Sequence, residues 1–421
     1  METRVASRRR SDKKGSPMDD VDASAAARRL AAAEREALLP HDTTPLLPAR
    51  RKRATAVATM VLGLLALSVG VTVVHQRLEK EQKLDVDRDA AWTAFKAKYE
   101  KTYATPAHEK AARRNYEARL ASMDERNRIN GEAVFGVTRH ADREMGHNAF
   151  ARGHRRAERR DILNLKPIKT KTISKIDWRE TEGVVSPVKN QGQCGSCWAF
   201  AVTEQVESQL VLSGAPQVTL SPQQLASCTA DAEGCGGGDP GQAYAYLASL
   251  NNASGLAPDA WWPYEQSLTP DDACTSKDCT KTCDRDPAQL EGDYQYVGPY
   301  AQIHGYGFAT DECTQGTCED QNTTELMLRL HDAPIAVCLN AEHWDDYVGG
   351  VLTADACGGN GANDIDHCVQ LVGYDSAGGW FLVRNSWSTS WGEDGYLRLA
   401  IAGNACGVAN EATVAVVEEG E

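Results

Sequence analysis

At 421 residues the chain is too long for one ordinary hydrophobic core, so it divides into several structural units. Its formal net charge of −14 hides an asymmetry: residues 1–53 carry +5, residues 75–171 carry +8 and residues 172–421 carry −27. All 13 cysteines fall between Cys194 and Cys406, which argues against a reduced cytosolic protein and for a disulfide framework with one thiol left over.

Residues 1–53 are rich in Ala, Arg, Ser and Pro and poor in aromatics, a composition that cannot bury enough surface to fold alone. Two stretches there, Glu34 before Leu38-Leu39 and Asp42 before Leu46-Leu47, resemble acidic dileucine signals read by endosomal sorting adaptors. Residues 54–74 contain no charge, and at about 1.5 Å per residue they span roughly the 30 Å of a bilayer core. Arg50, Arg51, Lys52 and Arg53 precede this run, so the positive-inside rule predicts a signal anchor with a cytosolic N-terminus and a lumenal remainder. The polar tail is too long for the n-region of a cleaved signal peptide.

Trp92, Phe95, Tyr99 and Tyr103 recur at helical spacing and predict an aromatic face that needs a partner. A second helix is expected from about Thr105 to Asn127, with Pro106 in its first turn. Residues 152–171 are basic without a strong apolar period, which predicts an exposed linker open to cleavage.

In the acidic part, residues 188–200 contain Gln191 and then Cys-Gly-Ser-Cys-Trp-Ala-Phe, followed by helical spacing of apolar residues. Cys197 is thereby placed near a helix start, where partial positive charge and a nearby imidazolium lower a thiol pKa. An attacking thiolate also needs donors for the developing oxyanion, here the Gln191 side-chain amide and the Cys197 backbone N–H. His367 interrupts an apolar strand-like run, and the next strand ends in Asn385-Ser386-Trp387. Asn385 is suited to orient the imidazole, and Trp387 to shield that bond from water.

Gln191, the Cys-Gly-Ser-Cys-Trp-Ala-Phe block, Asp366-His367, and Asn385-Ser386-Trp387 with Trp391-Gly392 resemble the papain and cathepsin family over residues 172–421. Supporting blocks are Asp177-Trp178-Arg179, Ser221 to Leu225 before Cys228, Gly234-Cys235-Gly236-Gly237-Gly238 and Cys406-Gly407. The resemblance implies an α+β fold of two lobes, a helical one carrying Cys197 and a β-barrel-like one carrying His367 and Asn385, behind a helical inhibitory propeptide in residues 75–171. Ser388 and Gly236 depart from the family's usual glycine and asparagine, and Glu109 and Arg113 stand one place out of register with the propeptide pattern.

By the same resemblance Gly237, Gly238, Asp239, Pro240, Cys338, Cys368, Trp387 and Glu411 line the substrate cleft, with Glu411 on the floor of the pocket for the second residue before the scissile bond. Cathepsin B carries a glutamate at the matching place. Disulfides are expected for Cys194 with Cys235, Cys357 with Cys406, Cys338 with Cys368, and Cys228 with one of Cys274, Cys279 and Cys283. Metal binding by close cysteine pairs such as Cys313 and Cys318 is the competing reading, disfavoured where no histidines cluster. Asn252 and Asn322 stand in glycosylation sequons. Residues 265–320 hold only His304, whereas exopeptidase relatives place paired histidines or a clamp near the cleft. The expectation is therefore a monomeric cysteine endopeptidase acting on proteins and peptides, inhibited by its own propeptide and sorted to an endosome, lysosome or vacuole. No cofactor, metal or nucleic acid is called for. A catalytically silent receptor of the same fold is the alternative, and the full catalytic set argues against it.

Overall fold

The computed structural model describes residues 86–132, 134–143, 153–160, 162–165, 168, 174–250, 255–265, 282–286 and 301–417. The tail, the apolar run 54–74, Asn252, Cys274 and Cys279 lie outside the described residues. Among those described, no helix is long and apolar enough to cross a membrane.

The aromatic face lies on helix α1, residues 86–98, and on the turn after it. Its partner is α2, Pro106–Asn130. Tyr116 of α2 sits 5.4 Å from the Trp92 ring and 4.8 Å from that of Phe95. Thr105 caps α2 by accepting from the His108 N–H, and Gly131, at φ 80, ends it in the left-handed region, so the helix outruns the expected Asn127 by three residues. Glu109 and Arg113 bind α2 to α1 through Lys96 and Asp89, each at 2.5 Å.

The first lobe of the acidic part is helical. Its central helix α3, Cys197–Leu212, is buried on most sides, its polar residues Thr203, Glu204, Gln205, Glu207 and Ser208 included. Around it lie α4, Pro222–Cys228, and α5, Pro240–Ser249, each opened by a capping side chain (Ser221, Asp239) and a proline at the first turn. The second lobe is a sheet built from β1 (Lys175–Asp177), β2 (Ile303–Phe308), β3 (Ile335–Leu339), β4 (Val351–Leu352), β5 (His367–Asp375), β6 (Trp380–Arg384), β7 (Tyr396–Ala400) and β8 (Glu411–Val417). Its strand order is β2-β8-β3-β5-β6-β7-β4, with β1 on β5. One short helix, α6 (Thr323–Arg329), is capped by Asn322, whose exposed side chain accepts from the Glu325 N–H.

The lobes meet through polar groups as well as apolar ones. Glu204 of α3 pairs with Arg384 of β6 at 3.3 Å, and Gln370 of β5 donates to the Glu204 carbonyl and the Ser208 hydroxyl at 2.9 Å each. Arg384 is wholly buried and directly precedes Asn385. Such a pair holds position more than it adds stability, because desolvation offsets most of its attraction.

Disulfides join Cys194 to Cys235, Cys338 to Cys368, Cys357 to Cys406 and Cys313 to Cys318. The last removes the thiolates that a metal would need. Cys228 pairs with Cys283, one of the three partners expected for it: three cysteines close in sequence are equivalent until the chain's path brings one of them up to α4. Ser388 stands at φ 72, where a side chain clashes with its own backbone. Ser388→Gly is expected to stabilise the fold by roughly 1 kcal/mol, read as a higher denaturant midpoint at unchanged slope.

Candidate active site

Cys197 is the first residue of α3, fully buried, and the one free cysteine among the described residues. His367 opens β5, and Asn385 follows the end of β6, the neighbouring antiparallel strand. The imidazole Nε2 lies 2.9 Å from Asn385 Oδ1. That oxygen also accepts from the Ser386 N–H at 2.8 Å, so the amide orientation is set and Nε2 carries the hydrogen. Nδ1 is left buried without a hydrogen-bond partner, as a base for the thiol. Trp387 lies over the ring at 4.9 Å and Trp344 meets its edge at 6.0 Å, keeping water from the orienting bond.

Gln191 is held from two sides. Ser386 Oγ donates to its Oε1 at 2.6 Å, and its Nε2 donates to the Cys194 carbonyl at 2.9 Å. The amide nitrogen thus faces the loop that leads into Cys197. Tyr264 supports this loop, bonding Ser196 at 2.6 Å and the Gln191 carbonyl at 3.1 Å, and nothing in the sequence marks it for that role.

The expected exposed linker is only partly exposed in its first part. Residues 153–160 run through the cleft: the Gly238 N–H donates to the Gly153 carbonyl (2.8 Å), and the Arg155 N–H donates to the Gly238 carbonyl (2.9 Å). The His154 N–H donates to Asp366 O at 3.1 Å. Gly153 packs so closely on the nucleophile that a Cβ there would stand 2.5 Å from Cys197 Sγ. Farther on, residues 162–163 pair with Tyr306 of β2. The physical reason is charge: the basic residues of this segment find carboxylates along the cleft, a long-range match invisible to local periodicity.

A lowered thiol pKa at Cys197 is also corrected for this covered state. Burial pushes the Cys197 thiol up to about 12, against the backbone N–H groups of Cys368, Trp198 and Gly153 that favour the thiolate. Burial likewise lowers His367 to about 4, against its bond to Asn385. Both shifts favour the neutral form of the pair while the cleft is covered.

Beside the catalytic pair, β8, β3 and β5 place Glu411, Cys338 and Cys368 in register across the sheet, and Asp239 faces them from the start of α5. His154 Nε2 reaches Glu411 at 3.2 Å and Asp239 at 3.8 Å. Burial alone would raise Glu411, but His154, Arg159 and Arg156 outweigh it and hold the carboxyl at about 2. Asp239 is raised by burial and by Glu411 beside it. His154, Asp239 and Glu411 are close enough to ligate a cation, yet Arg159 and Arg156 already stand at 3.0 and 3.6 Å from Glu411 and fill that part. His304 is exposed on β2.

The papain family cysteine protease profile matches residues 172–416. Cysteine proteinase B of Leishmania mexicana is 32% identical over 362 residues, covering 83% of this chain and 74% of the relative. Procathepsin L of Rattus norvegicus is 29% identical over 351 residues, covering 80% of this chain and 94% of the relative. Among solved structures, digestive procathepsin L2 proteinase of the Tenebrio molitor larval midgut superposes with a TM-score of 0.63 at 27% identity, covering 78% of this chain and 100% of that one.

Proposed function

The chain belongs to the papain family of cysteine proteases, and from that premise we propose that it is an endopeptidase made as a membrane-anchored, acid-activated zymogen. The observation that carries the reading is the oriented His367–Asn385 pair beside a free, buried Cys197 under the backbone of Gly153. Once uncovered, Cys197 gives its proton to His367 and attacks the scissile carbonyl carbon. Gln191 and the Cys197 N–H hold the oxyanion. The carbon–nitrogen bond breaks as the leaving amine takes the proton back from His367, and an acyl-enzyme remains. Water then passes a proton to His367 while attacking that acyl group, and the thiol is regenerated with release of the acid. Labelling by an epoxide directed at catalytic cysteines tests this reading: no labelling of wild-type protein at any pH would leave a silent binding protein.

The anchor at residues 54–74, the two dileucine stretches and the lumenal sequons are the features that support sorting to an endosome, lysosome or vacuole. For specificity, the register of Glu411 with Cys338 supports a basic side chain at the second residue before the scissile bond. In Glu411→Ala, an Arg substrate is expected to lose at least about tenfold more kcat/KM than a Phe substrate. Equal losses would assign Glu411 a structural part instead.

A further inference from the structure

Arg159 of the propeptide does more than neutralise Glu411. Its Nη1 donates to Asp239, its Nη2 lies 2.6 Å from Glu312 and 3.0 Å from Glu411, and its Nε bonds Glu312 at 3.2 Å. The guanidinium also lies over the Phe308 ring at 5.6 Å. Three carboxylates from separate places in the fold, the cap of α5, the loop after β2 and the start of β8, thus surround one planar cation on an aromatic plate. Asp239 and Glu411 are almost wholly buried, and in the closed chain Glu411 is held by Arg159 and His154 at one of its oxygens.

This point is reachable from the substrate backbone. His154 occupies the position that pairs with Gly238, and its imidazole touches the same Glu411 oxygen as Arg159 does. An arginine side chain at that position extends farther from its Cα than an imidazole, into the place that Arg159 leaves when the propeptide departs. Departure leaves these carboxylates to water, and a cation that refills the place restores the pairing seen with Arg159. A guanidinium offers five donors in a rigid plane and stacks on aromatic faces, so it bridges several carboxylates at once. An ammonium is a compact point charge and cannot span them.

We propose that Asp239, Glu312 and Glu411, with Phe308 beneath them, form a guanidinium-selective subsite that prefers arginine to lysine at the second residue before the scissile bond. The preference rests on the protease reading above. It goes beyond a single acidic floor residue, because it makes Glu312 and Asp239 the source of discrimination between two equally charged side chains.

The test uses processed enzyme and dipeptide substrates with Arg, Lys or Phe at this position. Wild type is expected to favour Arg over Lys by at least about tenfold in kcat/KM, and Glu312→Gln to shrink that ratio at least about threefold. Asp239→Asn keeps a capping side chain on α5 and so separates loss of the charge from loss of the fold; it should shrink the ratio as well. An Arg-to-Lys ratio near one in wild type, or variants that lower both substrates by the same factor, overturns the proposal. The Phe substrate and epoxide titration report the catalytic machinery separately, so failure of the protease reading would appear as inactivity on all three substrates.

Discussion

His367→Ala in the processed enzyme is expected to lower kcat/KM by about ten-thousand-fold, and Cys197→Ala to leave the chain without self-processing. The size follows from what each group does. On the mechanism proposed above, Cys197 supplies the bond-forming atom, and His367 both removes its proton and returns one to the leaving amine. Asn385→Ala should cost less, about a hundredfold, because it removes only the acceptor 2.9 Å from Nε2 and frees the ring to turn. Steady-state kinetics with active-site titration measures all three. A His367→Ala enzyme retaining a tenth of wild-type activity would show that the base lies elsewhere.

The second large effect concerns the cover. Asp346, nearly inaccessible, receives Arg119 at 3.2 Å and Arg126 at 2.5 Å, both from α2. Arg126 also donates to the His343 carbonyl at 3.0 Å, and Asn130 donates to the Val351 carbonyl at 3.1 Å. Asp346→Ala leaves the Arg126 guanidinium buried without its carboxylate and Arg119 with only Asp345 at 3.4 Å, at a cost of about 3–5 kcal/mol. Labelling of Cys197 by an epoxide in the full chain at pH 7 should then quicken by at least about a hundredfold. Labelling as slow as in wild type, with an unchanged melting temperature, would show that this cluster does not hold the propeptide down.

Acid is expected to work in the same direction, through groups the cover buries. His140 is pressed down to about 3 by burial and by Arg143 nearby, and His367 to about 4 by burial. Both bind fewer protons in the closed zymogen than when free. Their contribution to closure is therefore complete above the ordinary histidine value near 6.5 and is lost as the pH falls towards 4 and 3. Glu411, held at about 2, adds a loss between its ordinary value and that figure. His154 opposes them: burial would lower it, but Glu411 and Asp239 raise it, so it takes up protons in the closed form. Self-processing of the wild-type chain should thus be faster at pH 4.5 than at pH 7, and equal rates would sink the coupling.

Much of the chemistry was legible in the chain because it is written in short blocks. A helix start carries Cys197, a strand start carries His367 and a strand end carries Asn385, and each block has a local composition that betrays its role. The aromatic period at Trp92, Phe95, Tyr99 and Tyr103 announced a buried face for the same reason, since helical spacing is a property of neighbouring residues. Tertiary structure alone decided the path of residues 153–160 through the cleft and the choice of Cys283 for Cys228. It alone brought Glu312 to Asp239, Glu411 and Arg159. These meetings join residues tens to hundreds of positions apart, where no periodicity runs between the partners, and only the packing of α3 against β3, β5 and β8 determines which charges share a site.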